Sequence, residues 1–206
     1  EKVGADVKKV AEGMGLDRRI GPSFLDAGAG FGGSCFPKDL AAFIHIASRL
    51  GYEFDLLKAV ERINEQARRR IVEKVEKALW TLTGKTVAVL GLAFKPNTDD
   101  LRSAPAMEVI AALKKEGARI RVYDPVAMPK ARASLKGVRF CRDAYDAARG
   151  SDCVVVMTEW NVFKEIDLER LKKAMRTPVL IDGRNIYEPG RMRELGFRYY
   201  GVGRTA

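Results

Sequence analysis

Residues 28–39, Gly28-Ala29-Gly30-Phe31-Gly32-Gly33-Ser34-Cys35-Phe36-Pro37-Lys38-Asp39, hold the densest set of groups in this sequence that could do chemistry. Four glycines within six positions leave the backbone free to take positive φ and to approach a ligand closely. They run into a cysteine at the start of a segment that reads as a helix. Ser34 suits its N-cap, Pro37 its first turn, and Asp39 sets an anion where the helix dipole favours one. Leu40, Phe43, Ile44, Ala47 and Leu50 then recur at helical spacing until Gly51 stops the pattern. A thiol at a helix N-terminus is biased toward thiolate, the nucleophilic form, and Lys38 adds to that bias. The alternative is a tight turn around a buried, inert thiol.

A second candidate is the segment Gly91 to Arg102, which follows the continuous apolar run Thr86-Val87-Ala88-Val89-Leu90. Such a run suits a strand buried on both faces of a parallel sheet, and the first strand-to-helix loop of that sheet is where a phosphate-bearing ligand sits. The loop has one glycine rather than G-x-G-x-x-G, so a dinucleotide could not be cradled by backbone alone. Lys95, Arg102, Thr98 and the Asp99-Asp100 pair would instead hold an anionic ligand with side chains; an ordinary charged surface loop is the alternative. Ile181-Asp182-Gly183-Arg184 sets an arginine just past the end of another strand, again where open sheets bind ligands.

The elements that must position these groups fall into two parts. From residue 1 the valines Val3, Val7 and Val10 already lie at helical spacing, which implies a helix in progress and residues upstream. Gly13, Gly15 and the stretch Asp17 to Pro22 then read as turn and loop. The helix after Cys35 spans about 37–50. A longer one runs from about Phe54 to Leu79, with Leu56, Val60, Ile63, Ala67, Ile71, Val75 and Ala78 as its apolar stripe and Glu65–Arg69 and Glu73–Lys77 as i, i+4 pairs. At 1.5 Å per residue it is on the order of 40 Å long. Such a rod predicts a connector between domains, a dimer interface or both, with a solvated surface helix as the alternative.

After Thr83-Gly84-Lys85, strands are predicted at Thr86 to Gly91, Arg119 to Pro125, Val138 to Cys141, Cys153 to Met157 and Val179 to Asp182. Helices alternate with them at about 105–115, capped by Ser103, and at about 143–149 and 168–175, before a last helix and strand from Met192 to Tyr200. The predicted fold is α/β: a helical region over 1–82 carrying the cysteine turn and a long connector or dimerisation helix, then a doubly wound, Rossmann-like parallel sheet over 83–206.

With 206 residues, 47% of them hydrophobic, the chain has a globular composition and no apolar run long enough to span a bilayer, so no membrane association is expected. Three cysteines, Cys35, Cys141 and Cys153, in unrelated contexts argue against a disulfide framework and for a reducing, cytoplasmic setting. Cys141 and Cys153 read as core thiols. A net charge of +10 invites a nucleic-acid partner, but the 37 basic residues are interspersed with 27 acidic ones and form no aromatic-interleaved stripe. No nucleic acid and no metal site are expected; the charge suits a small anionic ligand or solubility.

Taken in order, the motifs Arg19-Ile20-Gly21, Phe24-Leu25, Gly32-Gly33-Ser34-Cys35-Phe36-Pro37-Lys38-Asp39, Gly91-Leu92-Ala93-Phe94-Lys95, Thr98-Asp99-Asp100, Arg102, Tyr123-Asp124-Pro125, Thr158-Glu159-Trp160 and Asp182-Gly183-Arg184 resemble the C-terminal part of the nucleotide-sugar dehydrogenases, most closely the branch that oxidises UDP-glucose. The resemblance covers essentially the whole chain. It implies oxidation of a sugar C6 hydroxyl to a carboxylate by two NAD-dependent hydride transfers, with Cys35 capturing the aldehyde as a thiohemiacetal and then a thioester. Asp39 would help activate water or organise the site. Phe24, Leu25, Asp26, Ala27, Gly28, Gly32, Phe94 and Lys95 would bind the UDP-sugar, with Arg184 assisting and Arg19 reaching a neighbouring subunit's site. Lys38 and Arg102 would contact NAD, and the helix at about 54–79 would form a homodimer. Asp26 stands where the family commonly has Asn or a basic residue, and Ser103-Ala104-Pro105 where Glu-Ser-Pro is commoner; both bear on the choice of sugar, with GDP-mannose and UDP-N-acetylmannosamine as alternatives, and a non-catalytic nucleotide-sugar-binding and dimerisation module is the alternative of another class. The family's N-terminal NAD-binding domain has no counterpart in these residues, so the resemblance implies that the chain alone does not turn over and that NAD is bound mainly elsewhere.

Overall fold

The computed structural model describes residues 1–204. Three helices come first: α1 (Val7–Gly15), α2 (Phe36–Arg49) and α3 (Asp55–Leu79). Strands and helices then alternate as β1 (Thr86–Leu90), α4 (Pro105–Lys115), β2 (Arg119–Tyr123), α5 (Met128–Ser134), β3 (Arg139–Phe140), α6 (Ala144–Ala148), β4 (Cys153–Val156), α7 (Asn161–Lys164), α8 (Leu168–Ala174), β5 (Val179–Asp182), α9 (Pro189–Glu194) and β6 (Arg198–Tyr200). The six strands make one parallel sheet in the order β3-β2-β1-β4-β5-β6, the doubly wound arrangement whose strand order reverses between β1 and β4. Ligands in such sheets bind outside the carboxyl ends of the strands at that reversal.

The continuous apolar runs explain the central strands. Val87 to Leu90, Val154 to Val156 and Val179 to Ile181 have no solvent exposure, as strands covered by helices on both faces require. Val109, Ile110 and Leu113 of α4 and Leu171 of α8 complete the cover. Each such side chain contributes about 1.5–3 kcal/mol on burial.

The long helix divides its labour. Ile71, Val72, Val75, Ala78 and Leu79 bury against the sheet layer, α4 and β5 being its neighbours there. Leu56 and Ile63, on the same predicted stripe, stay open to solvent, as do Phe43 and Ile46 of α2 and its cap residue Leu50. Trp80 ends the helix at φ 65°, its N–H donating to the Glu76 carbonyl at 2.8 Å. Among the described residues no helix is long and apolar enough to cross a membrane.

Several sequence expectations are corrected. No helix is in progress at Val3: α1 starts at Val7, because the Asp6 carboxylate accepts from the Lys8 N–H at 2.9 Å and caps it, and Gly13 and Gly15, expected in a turn, lie inside this helix. Ser34 does not cap α2; Cys35 itself holds the N-cap position, with no side-chain cap bond. Ser103 does not cap α4, since it takes φ 48° and Ala104 occupies the cap. The short helices α5 and α7 lie where no element is predicted, and the last helix starts at Pro189 rather than near Met192.

Candidate active site at the carboxyl end of the sheet

The glycine-rich turn is docked onto the sheet's carboxyl end by its main chain. Ala29 N–H donates to the Gly183 carbonyl at 2.8 Å, just past β5, and Gly33 N–H donates to the Arg102 carbonyl at 3.0 Å, at the end of the loop that follows β1. The glycines are there because the approach leaves no room for a side chain. A Cβ on Gly28 would lie 2.9 Å from the Gly183 carbonyl, one on Gly32 only 2.2 Å from the Ser103 carbonyl, and one on Gly33 2.8 Å from the Phe94 ring. Two side chains from opposite directions fix the middle of the turn. Asn64 of α3 accepts from Phe31 N–H at 2.8 Å and donates to the Phe31 carbonyl at 3.1 Å. Arg184 donates to the Gly30 carbonyl at 3.2 Å and to the Met157 carbonyl at 2.9 Å, with Glu159 3.4 Å away. Burial lowers the Arg184 pKa, opposed by the Glu159 and Asp182 carboxylates.

On that support Cys35 is presented to solvent at the mouth of α2, its sulfur 3.7 Å from the Ser34 hydroxyl. Asp39 lies one turn on, its amide bonded to the Cys35 carbonyl at 2.8 Å. Its carboxylate meets the Lys38 ammonium at 2.5 Å, which together with the nearby Cys35 holds the Lys38 pKa above its ordinary value. Arg102 grips Asp100 through two bonds, Nε at 3.0 Å and Nη2 at 2.7 Å. That fork draws the Asp100 carboxyl down to about 2 and raises Arg102, with Cys35 again among the charges it feels. Lys38 and Arg102, both exposed and each paired with a carboxylate, thus lie near enough to the thiol to feel its charge.

The other predicted residues divide among neighbouring sites. Phe24, Asp26, Gly28 and Arg184 line a cleft of 490 Å³ with Gly30, Phe31 and Phe36. Leu25, Asp26, Ala27 and Arg184 line an adjoining one of 330 Å³ that also receives Lys8, Glu159 and Lys164. Phe24 takes φ 64° and is 94% exposed. Phe94 packs on Gly33, and the Lys95 ammonium sits 5.3 Å from the Phe94 ring centre. Arg19 lines neither cleft: its guanidinium is paired with Asp17 at 2.6 Å on the surface.

The loop from Gly91 to Arg102 does not fit a dinucleotide. Its single glycine leaves no backbone cradle, and Asp124, the acid at the end of β2 that would reach a ribose in a dinucleotide fold, is turned inward and buried. Lys38 and Arg102 lie at the surface, each paired with a carboxylate, Asp39 and Asp100. Among the described residues no cluster of three His, Cys, Asp or Glu side chains is placed to hold a metal.

Comparison with known proteins matches the chain in two stretches. The central domain of the UDP-glucose/GDP-mannose dehydrogenase family matches residues 1–66, and its UDP binding domain matches residues 88–189. The chain belongs to this family. UDP-glucose 6-dehydrogenase TuaD of Bacillus subtilis is 48% identical over all of the chain and 45% of its own length, and the UDP-glucose 6-dehydrogenase of Rhizobium meliloti is 47% identical over 99% of the chain and 47% of its own. A solved UDP-glucose dehydrogenase from Pyrobaculum islandicum superposes with a TM-score of 0.89 at 42% identity, covering the whole chain and 45% of that structure. The chain thus spans slightly less than half the length of the relatives it matches.

Four residues that organise this family member's turn and loop carry no role in the sequence reading: Asn64, Asp124, Thr158 and Glu159. Asn64 had a signal. It falls four residues after Val60 and seven before Ile71, so it is a polar group on the apolar face of a helix. The other three stand inside quoted motifs, but their partners, chiefly main-chain groups for Asp124 and Thr158 and the Arg184 guanidinium for Glu159, are not revealed by spacing.

Proposed function

We propose that the chain is the central and C-terminal part of an NAD-dependent UDP-glucose 6-dehydrogenase that oxidises UDP-glucose to UDP-glucuronate, with residues 1–82 as a helical unit and 83–206 as the UDP-sugar unit. The observation that carries this reading is the docking of the Cys35 turn onto the sheet's carboxyl end, which sets a solvent-facing thiol beside the crevice where a nucleotide would bind. The names of the relatives at 47–48% identity support the sugar.

In this reading Phe94 and Lys95 bind the nucleotide, and Phe24 to Gly28, Gly32 and Arg184 bind along the diphosphate and sugar. NAD, when bound, supplies the hydride acceptor for both oxidations, and Lys38 and Arg102 would touch it. The Cys35 sulfur adds to the C6 aldehyde carbon, so that C6 is held as a thiohemiacetal and, one oxidation later, as a thioester. Water, oriented with the help of Asp39, then displaces the sulfur, giving the carboxylate and returning the thiol. Arg19 acts at a neighbouring subunit's site. The apolar side chains left open on α2 and α3 (Phe43, Ile46, Leu50, Leu56 and Ile63) support a homodimer through these helices. The unpaired thiols support a cytoplasmic setting.

Calorimetry of the chain with UDP and with single-stranded DNA at moderate salt separates a nucleotide-sugar unit from a nucleic-acid one; DNA binding without UDP binding would overturn the reading. In the full-length enzyme, Cys35→Ser should abolish release of UDP-glucuronate, and a normal rate would refute the nucleophile. Sedimentation at micromolar concentration should give a dimer.

A further inference from the structure

Asp124 is 1% exposed, and its two carboxylate oxygens accept five N–H groups. Oδ2 takes Leu92 N–H at 2.7 Å, Ala93 N–H at 3.1 Å and the Trp160 indole N–H at 3.2 Å. Oδ1 takes Val126 N–H at 2.9 Å and Ala127 N–H at 2.7 Å. A carboxylate offers about four lone-pair sites, so this one is saturated and has nothing left for a ligand. Its partners come from three loops at the strand-order reversal: those after β1, β2 and β4. The loop after β1 is held further, because the Thr158 hydroxyl donates to the Ala93 carbonyl at 2.6 Å. Ala93 is therefore fixed at both its amide and its carbonyl, immediately before Phe94 and Lys95. Gly91 lets β4's loop come this close, since a Cβ there would lie 2.5 Å from the Thr158 side chain.

We infer that Asp124 is a positioning residue for nucleotide binding: it presets the backbone at Leu92-Ala93 so that Phe94 and Lys95 meet the nucleotide already in place. The acid that reads a ribose in dinucleotide-binding sheets has here become an internal clamp on the first loop. The inference rests on the reading of that loop as the UDP site. Charge-assisted bonds to main-chain N–H groups are strong, and ordering the loop before binding removes that cost from the association.

The test is UDP affinity of the chain by calorimetry. Asp124→Asn puts an amide N–H against main-chain donors, and UDP affinity should fall at least tenfold. Trp160→Phe removes one of the five bonds and leaves the carboxylate in place, and it should weaken UDP binding about threefold. Leu113→Ala in the core of α4, which lowers stability without touching the loop, is the control and should leave affinity within twofold. If wild-type chain binds no UDP, the reading of the loop fails. If wild type binds but both loop variants bind equally well, or if Leu113→Ala weakens binding as much as they do, the positioning role is overturned. Should Asp124→Asn fail to fold, Trp160→Phe against Leu113→Ala still decides.

Discussion

Replacing Gly32 with alanine adds one methyl group at the tightest contact of the docked turn. The new Cβ would sit 2.2 Å from the Ser103 carbonyl oxygen and 2.8 Å from Pro105 Cδ, where ordinary contact begins at 3.4 Å. Neither neighbour can yield cheaply, for one is main chain and the other is the ring that opens α4. The turn must therefore retreat by about an ångström, and overpacking of this kind costs about 1–3 kcal/mol. For a chain of this size each kcal/mol lowers the melting temperature by ~2–4 °C, so thermal unfolding should show a fall of several degrees. A displacement of that size at a reacting group costs on the order of 10²-fold in rate, so the full-length variant should lose activity far beyond what its stability loss explains. Gly13→Ala is the matched control. Its Cβ meets nothing within 4 Å, and in the middle of α1 it should gain about 0.5–1 kcal/mol. A Gly32→Ala protein that melts like wild type and turns over normally would falsify the claim that close main-chain docking positions Cys35.

Asn64→Leu removes both bonds to Phe31, leaving its N–H unpaired and its carbonyl with only the Arg68 guanidinium at 3.4 Å, so stability measured by urea unfolding should fall by about 1–3 kcal/mol. Iodoacetamide near neutral pH should label Cys35 alone in the folded chain, because Cys141 and Cys153 are buried and burial raises both of their thiol pKa values; labelling of Cys153 before unfolding would contradict the packing of β4. Glu188 is held down to about 2 by its bond to Arg204 and then by Lys8. A depressed acid contributes stability that is full above its ordinary value of 4.5 and is lost as pH falls toward about 2. Because Glu188 is largely solvent-exposed, the gap between wild type and Glu188→Gln should be only about 0.2–1 kcal/mol at pH 6 and should close near pH 2; a gap that persists there would refute the assignment.

Much of this architecture is legible in the residues because burial is. β1, β4 and β5 lie close to their expected bounds, since a strand covered on both faces must be a continuous apolar run, while β2 shows itself by alternation, burying Ile120 and Val122. The long helix is legible for the same kind of reason, its period being sustained over many turns. The seven residues of α5 and the four of α7 are too few to display a period, so they stay hidden. Caps fail differently. Ser34 and Ser103 have the right chemistry, but capping depends on local dihedrals, and Ser103 lies at positive φ. For the candidate site, the cysteine turn and its glycines are readable as a feature, whereas what they dock against is not. The partners of Ala29, Gly30 and Gly33 are carbonyls of distant loops and arginines, and a carbonyl has no letter in the sequence.

The distance along the chain of those partners has a consequence for folding. Gly30 is bonded to Arg184 across 154 positions, and Asn64 reaches Phe31 across 33. Closures that long carry a large entropic cost before any contact rewards them, and contacts of high sequence separation form slowly. The turn can meet Asn64 and the Arg102 carbonyl early, but its bonds to Gly183 and Arg184 must wait until β5 has joined the sheet. During synthesis, therefore, the turn that carries the thiol is held from one side first and docks fully only once the segment bearing Gly183 and Arg184 is in place.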